Sequence, residues 1–323
     1  MSQLPVTLST IQEARRRIAN VAYRTPLYYS PRLSALTKAN VYLKLENYQP
    51  IRVFKIRGAA NKILKLSPAE RKLGFVAASS GNHGLAVSYM AKLVGANATI
   101  VVPTNAVQEK VNAIEEYGAK VIKHGLFHDE RFSKALEIQK ATGALMIPPF
   151  DDPDIIAGQG TIGLEIIEDR PDVNTVIVPI GGGGLISGIA TAIKSLKPAA
   201  KMIGVEPEKA SSMHDSIKTG KITRLVDTTS IADGLAAREP GQLTFQIVKQ
   251  NVDEILLVSE EQIQKAVFTV MKECHLVIEP SAAAAVAALI EKAKTRAAER
   301  VVVVVSGGNI SLKMMETILS KYH

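Results

Sequence analysis

The sequence predicts an α/β protein built from two open, twisted parallel sheets that face each other across a cleft. Three features of its 323 residues carry that expectation. Short β-branched runs alternate with longer stretches of helical period, the pattern of sheets covered by helices on both faces. One run, at 301–305, consists of five valines and reads as a fully buried central strand. Several runs end in glycine-rich or small polar turns that lead straight into a helical pattern, where open parallel sheets place their ligands.

In chain order, a helix-like stretch opens at Thr10-x-x-Glu13, a capping-box spacing, and carries Arg15, Arg16 and Arg17. A strand is expected at 41–45 and a helix at 55–66. Strands at 75–79, 98–102 and 120–123 are each followed by helical pattern, at 84–94, 107–117 and 130–141. Pro148 and Pro149, then Asp151-Asp152-Pro153, form a rigid break, and Ser67-Pro68 forms a weaker one. The two breaks bracket an inserted α/β unit, 68–147, and leave 1–67 with 148–323 as the larger unit. That unit reads as helix 158–168, strand 175–180, helix 185–196, strands 201–205 and 254–258, helices 260–273 and 281–292, and strand 301–306. A ligand is expected where the carboxyl ends of the two sets of strands meet.

Composition removes several function classes. The apolar run at 282–290 is about half of the ~18 residues a membrane span needs, so none is expected. The N-terminus has no basic-then-apolar leader, which implies a cytoplasmic protein. The single cysteine, Cys274, can form neither an intrachain disulfide nor a thiolate cluster, in keeping with a reducing compartment. The net charge of +8 invites a nucleic-acid reading, but outside Arg15, Arg16 and Arg17 the Lys and Arg are mostly scattered, aromatics make up 5% and Trp is absent. A basic surface that draws in small anions explains the charge, and no nucleic acid is expected.

Four stretches carry candidate chemistry. Gly181, Gly182, Gly183 and Gly184 stand directly between an apolar run and a helical pattern. Glycine weakens both strand and helix, and a tight turn would need only one or two. Four make sense where backbone N–H groups converge on an anion, and a strand-to-helix turn aims them at a phosphate. No Gly-Lys-Ser/Thr follows, so this is not a Walker loop. Ser79-Ser80-Gly81-Asn82-His83-Gly84 also opens a helix, offering donors to a carboxylate, although His83 could equally be a packed side chain. Lys55, in Phe54-Lys55-Ile56-Arg57-Gly58, stands at a helix start where the dipole disfavours a cation. It is either a surface lysine or, beside a desolvated phosphate site, an amine able to bond an aldehyde cofactor. Ser306, at the end of the valine strand, is a strand-end turn residue or a hydroxyl for a heteroaromatic nitrogen.

Together these residues resemble the fold type II (tryptophan synthase β-like) pyridoxal-phosphate enzymes, in the branch of serine/threonine dehydratases and serine racemases. The likeness runs through Lys44-Leu45-Glu46-Asn47-Tyr48-Gln49-Pro50, the Phe54-Lys55 segment, the Ser-Ser-Gly-Asn-His loop, Ala157-Gly158-Gln159-Gly160-Thr161, the four glycines, Gly204-Val205-Glu206-Pro207, Ile231-Ala232-Asp233-Gly234 and Ser306-Gly307-Gly308-Asn309. The resemblance implies pyridoxal 5'-phosphate as cofactor, with 1–67 plus 148–323 as the cofactor-binding domain. By position, Lys55 is similar to the Schiff-base lysine, Phe54 to the residue packed on the ring, and Asn82 to the partner of the phenolic oxygen. Gly181 to Gly184 resemble the phosphate cradle, and Ser306 the partner of the pyridine nitrogen. Ser79, Ser80, Asn82 and His83 resemble the loop that receives the substrate carboxylate, and Arg131 is at the position of a carboxylate-contacting arginine of the racemases.

The implied reaction is dehydration of L-threonine or L-serine to a 2-oxo acid and ammonia, with Lys55 as base. Residues 231–245 resemble threonine dehydratases, whereas Ser80 resembles the second base of serine racemases, which keeps racemisation as an alternative. Val53 stands where the family usually has Ser, so another small 3-hydroxy amino acid, such as 3-hydroxyaspartate, is also compatible. The racemases' divalent-cation site, for Mg or Mn, takes an acid, a carbonyl and a second acid; the matching positions are Glu206, Ala210 and Ser212, one carboxylate short. A homodimer or homotetramer is expected. The stretch after Asn309 is shorter than the regulatory domain of the biosynthetic dehydratases, so the resemblance implies no inhibition by isoleucine.

Overall fold

The computed structural model describes residues 4–79, 81–106, 108–126 and 128–323. Their strands, in chain order, are β1 (Leu27–Tyr29), β2 (Asn40–Leu45), β3 (Phe75–Ala78), β4 (Ala98–Val102), β5 (Lys120–Lys123), β6 (Leu145–Met146), β7 (Thr175–Pro179), β8 (Lys201–Pro207), β9 (Glu254–Val258) and β10 (Arg300–Val305). A six-stranded sheet has the order β1-β2-β10-β7-β8-β9, and a four-stranded sheet the order β5-β4-β3-β6. Every pairing is parallel except β1 with β2. The expected pair of parallel sheets is present, with an antiparallel edge strand added. The Leu-Tyr-Tyr of β1 and the two residues of β6 are too short to stand out as hydrophobic runs.

β10 lies inside its sheet, with Val303 opposite Leu43 on one side and Ile177 on the other. All five of its valines are fully buried. Helices on both faces explain why these runs are apolar throughout. Among the described residues, no helix is long and apolar enough to cross a membrane.

Several helices start before the sequence expectation, two of them through a side-chain cap. The first helix is Leu8–Ile18, and its capping box is Thr7 with Thr10, not Thr10 with Glu13. Thr7 is extended and exchanges side-chain hydrogen bonds with Thr10, which occupies the third helical position. Helix Pro153–Asp169 begins at the proline of the rigid break, because Asp152 accepts from the Asp154 and Ile155 amides. Helix Asn82–Val94 begins two residues before the expected 84, which puts Asn82 and His83 in its first turn.

Helix Lys55–Lys65 is keyed to both sheets. Its Ile56, Ala59, Ala60 and Ile63 pack with Phe75, Ala77 and Ile100 of the smaller sheet. Its other side meets helix Pro153–Asp169 so closely that a Cβ on Gly158 would lie 2.5 Å from the Arg57 carbonyl oxygen. Arg57, only 1% exposed, anchors that contact. Its guanidinium donates to Glu46 at 2.8 Å through both Nε and Nη2, and to Glu165 at 2.6 and 3.0 Å. Lys44, also buried, lies 2.6 Å from Glu165 and completes a set of two cations and two anions. Such a set fixes the geometry of the helix that begins at Lys55 while leaving no net buried charge.

Candidate active site

The chain reaches Lys55 through a short, heavily tied segment. Arg52 takes a left-handed conformation, φ 59°, unusual for a side chain that is not glycine. Its carbonyl accepts from the Gly308 amide at 2.9 Å, Val53 bridges to Gly307, and the Phe54 amide donates to the Ser306 carbonyl at 3.0 Å. The ends of β10 and the start of the Lys55 helix are thereby locked together. The Lys55 Nζ donates to the Pro149 carbonyl at 2.7 Å and lies 5.2 Å from the centre of the Phe54 ring. Burial lowers its pKa to about 8, against the opposing pull of the Glu279 charge. This is the position of an amine able to exchange a proton near neutral pH.

The four glycines follow β7 and run into helix Gly184–Leu196. Only Gly183, with φ 93°, needs the left-handed region. The others are small because of what approaches them: a Cβ on Gly182 would lie 2.3 Å from the Phe150 ring, and one on Gly181 would lie 3.0 Å from the Gly234 carbonyl oxygen. No side chain caps that helix, so its first amides are open to an anion at the positive end of the dipole. With Phe54, Lys55 and Ser306, the glycines line a compartment of about 50 Å³. Lys55, Asn82, Phe150 and Glu279 line both it and a cleft of about 500 Å³.

Ser79, Asn82, His83 and Arg131 line that larger cleft. Ser80 lies outside the described residues. Asn82 donates to Glu279 and accepts from Asn309. His83 is 4% exposed, and its Nε2 lies 2.8 Å from the Ile147 carbonyl oxygen. Burial, with the Lys55 charge, holds its pKa near 3, so the ring stays neutral and the nitrogen is the donor. Arg131 donates from Nη1 to the Leu126 carbonyl at 3.1 Å, while its buried Nε has no hydrogen-bond partner among the described residues. Burial lowers its pKa, with Glu130 opposing.

Phe150 and Glu279, which line both compartments, were not among the sequence candidates. Phe150 was hidden in the Pro-Pro-Phe-Asp-Asp-Pro break. Glu279, 5% exposed, precedes Pro280 at a helix start and reads in sequence as an ordinary cap, yet its side chain caps nothing. Burial raises its pKa to about 7, countered by the Asn82 hydrogen bond.

Glu206 and Ala210 do not line the cleft. The two Glu206 oxygens accept from the backbone amides of Met213 and His214 at 2.9 and 2.7 Å, and burial pushes its pKa up to about 8. Among the described residues, no group of three or more His, Cys, Asp or Glu is placed to hold a metal. One carboxylate already engaged with amides, with Ser212 in place of a second acid, is a poor donor set for a hard dication.

Comparison with known proteins adds the following. The family described as pyridoxal-phosphate dependent enzyme matches residues 18–307. An L-threonine ammonia-lyase of Thermotoga maritima is 48% identical over 98% of this chain and 79% of its own length. The catabolic L-threonine dehydratase TdcB of Escherichia coli is 43% identical over 98% of this chain and 96% of its own. Among solved structures, maize serine racemase superposes with a TM-score of 0.93 at 36% identity, covering 98% of both chains. The processed threonine deaminase isoform 2 of Solanum lycopersicum superposes at 0.92 and 36%, covering 98% of this chain and 87% of that one.

Proposed function

The chain belongs to the pyridoxal-phosphate dependent enzymes, and from that premise we propose that its cleft converts L-threonine and L-serine to a 2-oxo acid and ammonia. The observation that supports this reading is the convergence of Lys55, Asn82, Gly182 and Ser306, remote in sequence, on one compartment that opens into the cleft.

The residues fit the cofactor on their own geometry. The uncapped glycine turn presents amides to its phosphate, and the Phe54 ring and Ser306 hydroxyl lie in the same compartment as the Lys55 amine that attaches it. When bound, pyridoxal 5'-phosphate withdraws electrons from the substrate and makes its Cα proton acidic. Lys55 would take that proton, its Nζ placed by the hydrogen bond to the Pro149 carbonyl. A neutral Ser306 hydroxyl would hold the pyridine nitrogen without charging it, which would suit elimination of the β-hydroxyl better than transamination. Ser79 and the first turn of helix Asn82–Val94 receive the substrate carboxylate at the positive end of the helix dipole. His83, kept neutral, donates to Ile147 and orients that turn. Arg131, whose Nε has no hydrogen-bond partner among the described residues, adds a second donor for a carboxylate. The β-hydroxyl would leave as water, taking up one proton for the one Lys55 removed, and the released enamine would hydrolyse to the 2-oxo acid and ammonia. No step uses a divalent cation at Glu206 and Ala210.

Ser80 and the likeness to serine racemases favour a second activity, racemisation of serine in the same cleft. The experiment that separates the readings is incubation of purified protein with L-Thr, L-Ser, D-Ser and threo-3-hydroxyaspartate, measuring 2-oxo acid and chirality. Ammonia and 2-oxobutanoate from L-Thr are expected. Turnover of none of the four overturns the assignment. The resemblance further supports a cytoplasmic homodimer or homotetramer, which light scattering tests by mass.

A further inference from the structure

We propose that Glu279 is a positioning residue, holding the Asn82 amide in a single orientation that leaves one N–H for the cofactor's oxygen. The inference rests on the reading that Lys55 carries the cofactor. An asparagine amide can turn over and exchange donor for acceptor unless its neighbours forbid it. Here both ends are specified. The Asn82 Nδ2 lies 2.8 and 3.0 Å from the two Glu279 oxygens, and above its pKa of about 7 this carboxylate can only accept. The Asn82 Oδ1 accepts at 2.8 Å from the Asn309 Nδ2, whose own identity is fixed by the Ile51 carbonyl at 3.1 Å.

An amide nitrogen carries two hydrogens, and one binding partner leaves the other available. Asn82 lines both compartments, so its remaining N–H is the natural donor to an anionic oxygen held there. A turned-over amide would present an acceptor to that oxygen and repel it.

Burying a carboxylate is costly, and the surroundings of Glu279 are arranged to accept it. Its amide donates to the Gly307 carbonyl at 3.1 Å, and a Cβ on residue 307 would lie 2.6 Å from its Oε1. The bland role, capping the helix Pro280–Glu291, is not performed. The charged groups facing it are Lys55, whose pKa its charge raises, and the ion-paired Lys110 and Asp233, with the Asn309 amide as a further donor.

The test compares wild type, Glu279→Gln and Asn309→Ala as holoenzymes. The readouts are borohydride fixation on Lys55, the pH titration of the bound cofactor's visible absorbance, cofactor affinity, and kcat against KM. In Glu279→Gln the cofactor should still be fixed on Lys55. The absorbance midpoint should move down by about one pH unit, because a negative charge near the lysine nitrogen is gone. Its kcat should fall about tenfold or more, with little change in KM, because the misplacement acts at the reacting centre. Asn309→Ala removes the opposite lock without changing a charge, and should weaken cofactor binding while leaving the midpoint in place. Fixation on Lys55 with wild-type titration and kcat in Glu279→Gln, or wild-type cofactor affinity in Asn309→Ala, overturns the inference alone. Absence of fixed cofactor on Lys55 in the wild type overturns the parent reading and this one with it.

Discussion

The Lys55 amine and the Pro149 carbonyl oxygen stand 2.7 Å apart, joining the start of one helix to the residue that precedes Phe150. A desolvated amine held by a neutral acceptor keeps less proton affinity than one in water, and its pKa of about 8 follows from that burial. In the cofactor-free protein, an amine-directed reagent should label Lys55 with a pH midpoint near 8, rising with pH because the unprotonated amine reacts. Labelling with a midpoint near ~10.4, the ordinary lysine value, would contradict the burial argument. Lys55→Ala should lose both cofactor attachment and turnover.

Phe150 and Gly182 should be coupled. Gly182→Ala places a methyl group 2.3 Å from the Phe150 ring and should destabilise the protein by about 1–3 kcal/mol while weakening cofactor binding. Adding Phe150→Ala should restore part of the loss, since the clash has lost its partner. Additive losses in urea denaturation and cofactor titration would show that the ring is not what keeps residue 182 small.

Arg57 tests the buried network. Arg57→Leu leaves Glu46 and Glu165 with Lys44 as their remaining buried cation and should cost about 3–5 kcal/mol. Arg24→Ala, which removes half-exposed pairs with Glu168 and Asp169, should cost no more than about 1 kcal/mol. Equal losses in chemical denaturation would refute the distinction between the two sites.

Glu206 should impose a pH slope on stability. Its folded pKa of about 8 lies above the ordinary 4.5, so the folded state keeps a proton that the unfolded chain has released. Stability from this group is complete below pH 4.5, falls as pH rises, and levels off above about 8. Glu206→Gln cannot titrate, so its loss of stability between pH 5 and pH 9 should be smaller than the wild type's by a few kcal/mol. Identical slopes in the two proteins would mean that Glu206 is ionised in the fold throughout.

Ser80 separates dehydration from racemisation. Removing a proton from one face needs only Lys55, whereas returning it to the other face needs a second donor, the role the resemblance gives Ser80. Ser80→Ala should therefore keep dehydration of L-Ser or L-Thr and lose formation of D-Ser. If the variant racemises as well as the wild type does, the two-base assignment fails.

Much of the fold and part of the candidate site follow from local rules that the sequence carries by itself. Five adjacent valines cannot stand at a wet surface, and they became the buried β10. Four glycines between a strand and a helix announce a turn that something approaches closely, and the motifs around the Lys55 segment carry the resemblance that gives this lysine the role of attachment point. Two helix starts were misplaced because a cap is decided by which side chain reaches which amide, as Asp152 and Thr7 show. Only the tertiary structure decided what is buried beside what. Glu279 meets Asn82 across 197 residues, and Arg57 meets Glu165 across 108, so neither partnership leaves a local pattern. The same holds for proton affinity: His83, Lys55 and Glu279 owe their shifted pKa values chiefly to desolvation, and desolvation exists only once the chain has closed around them.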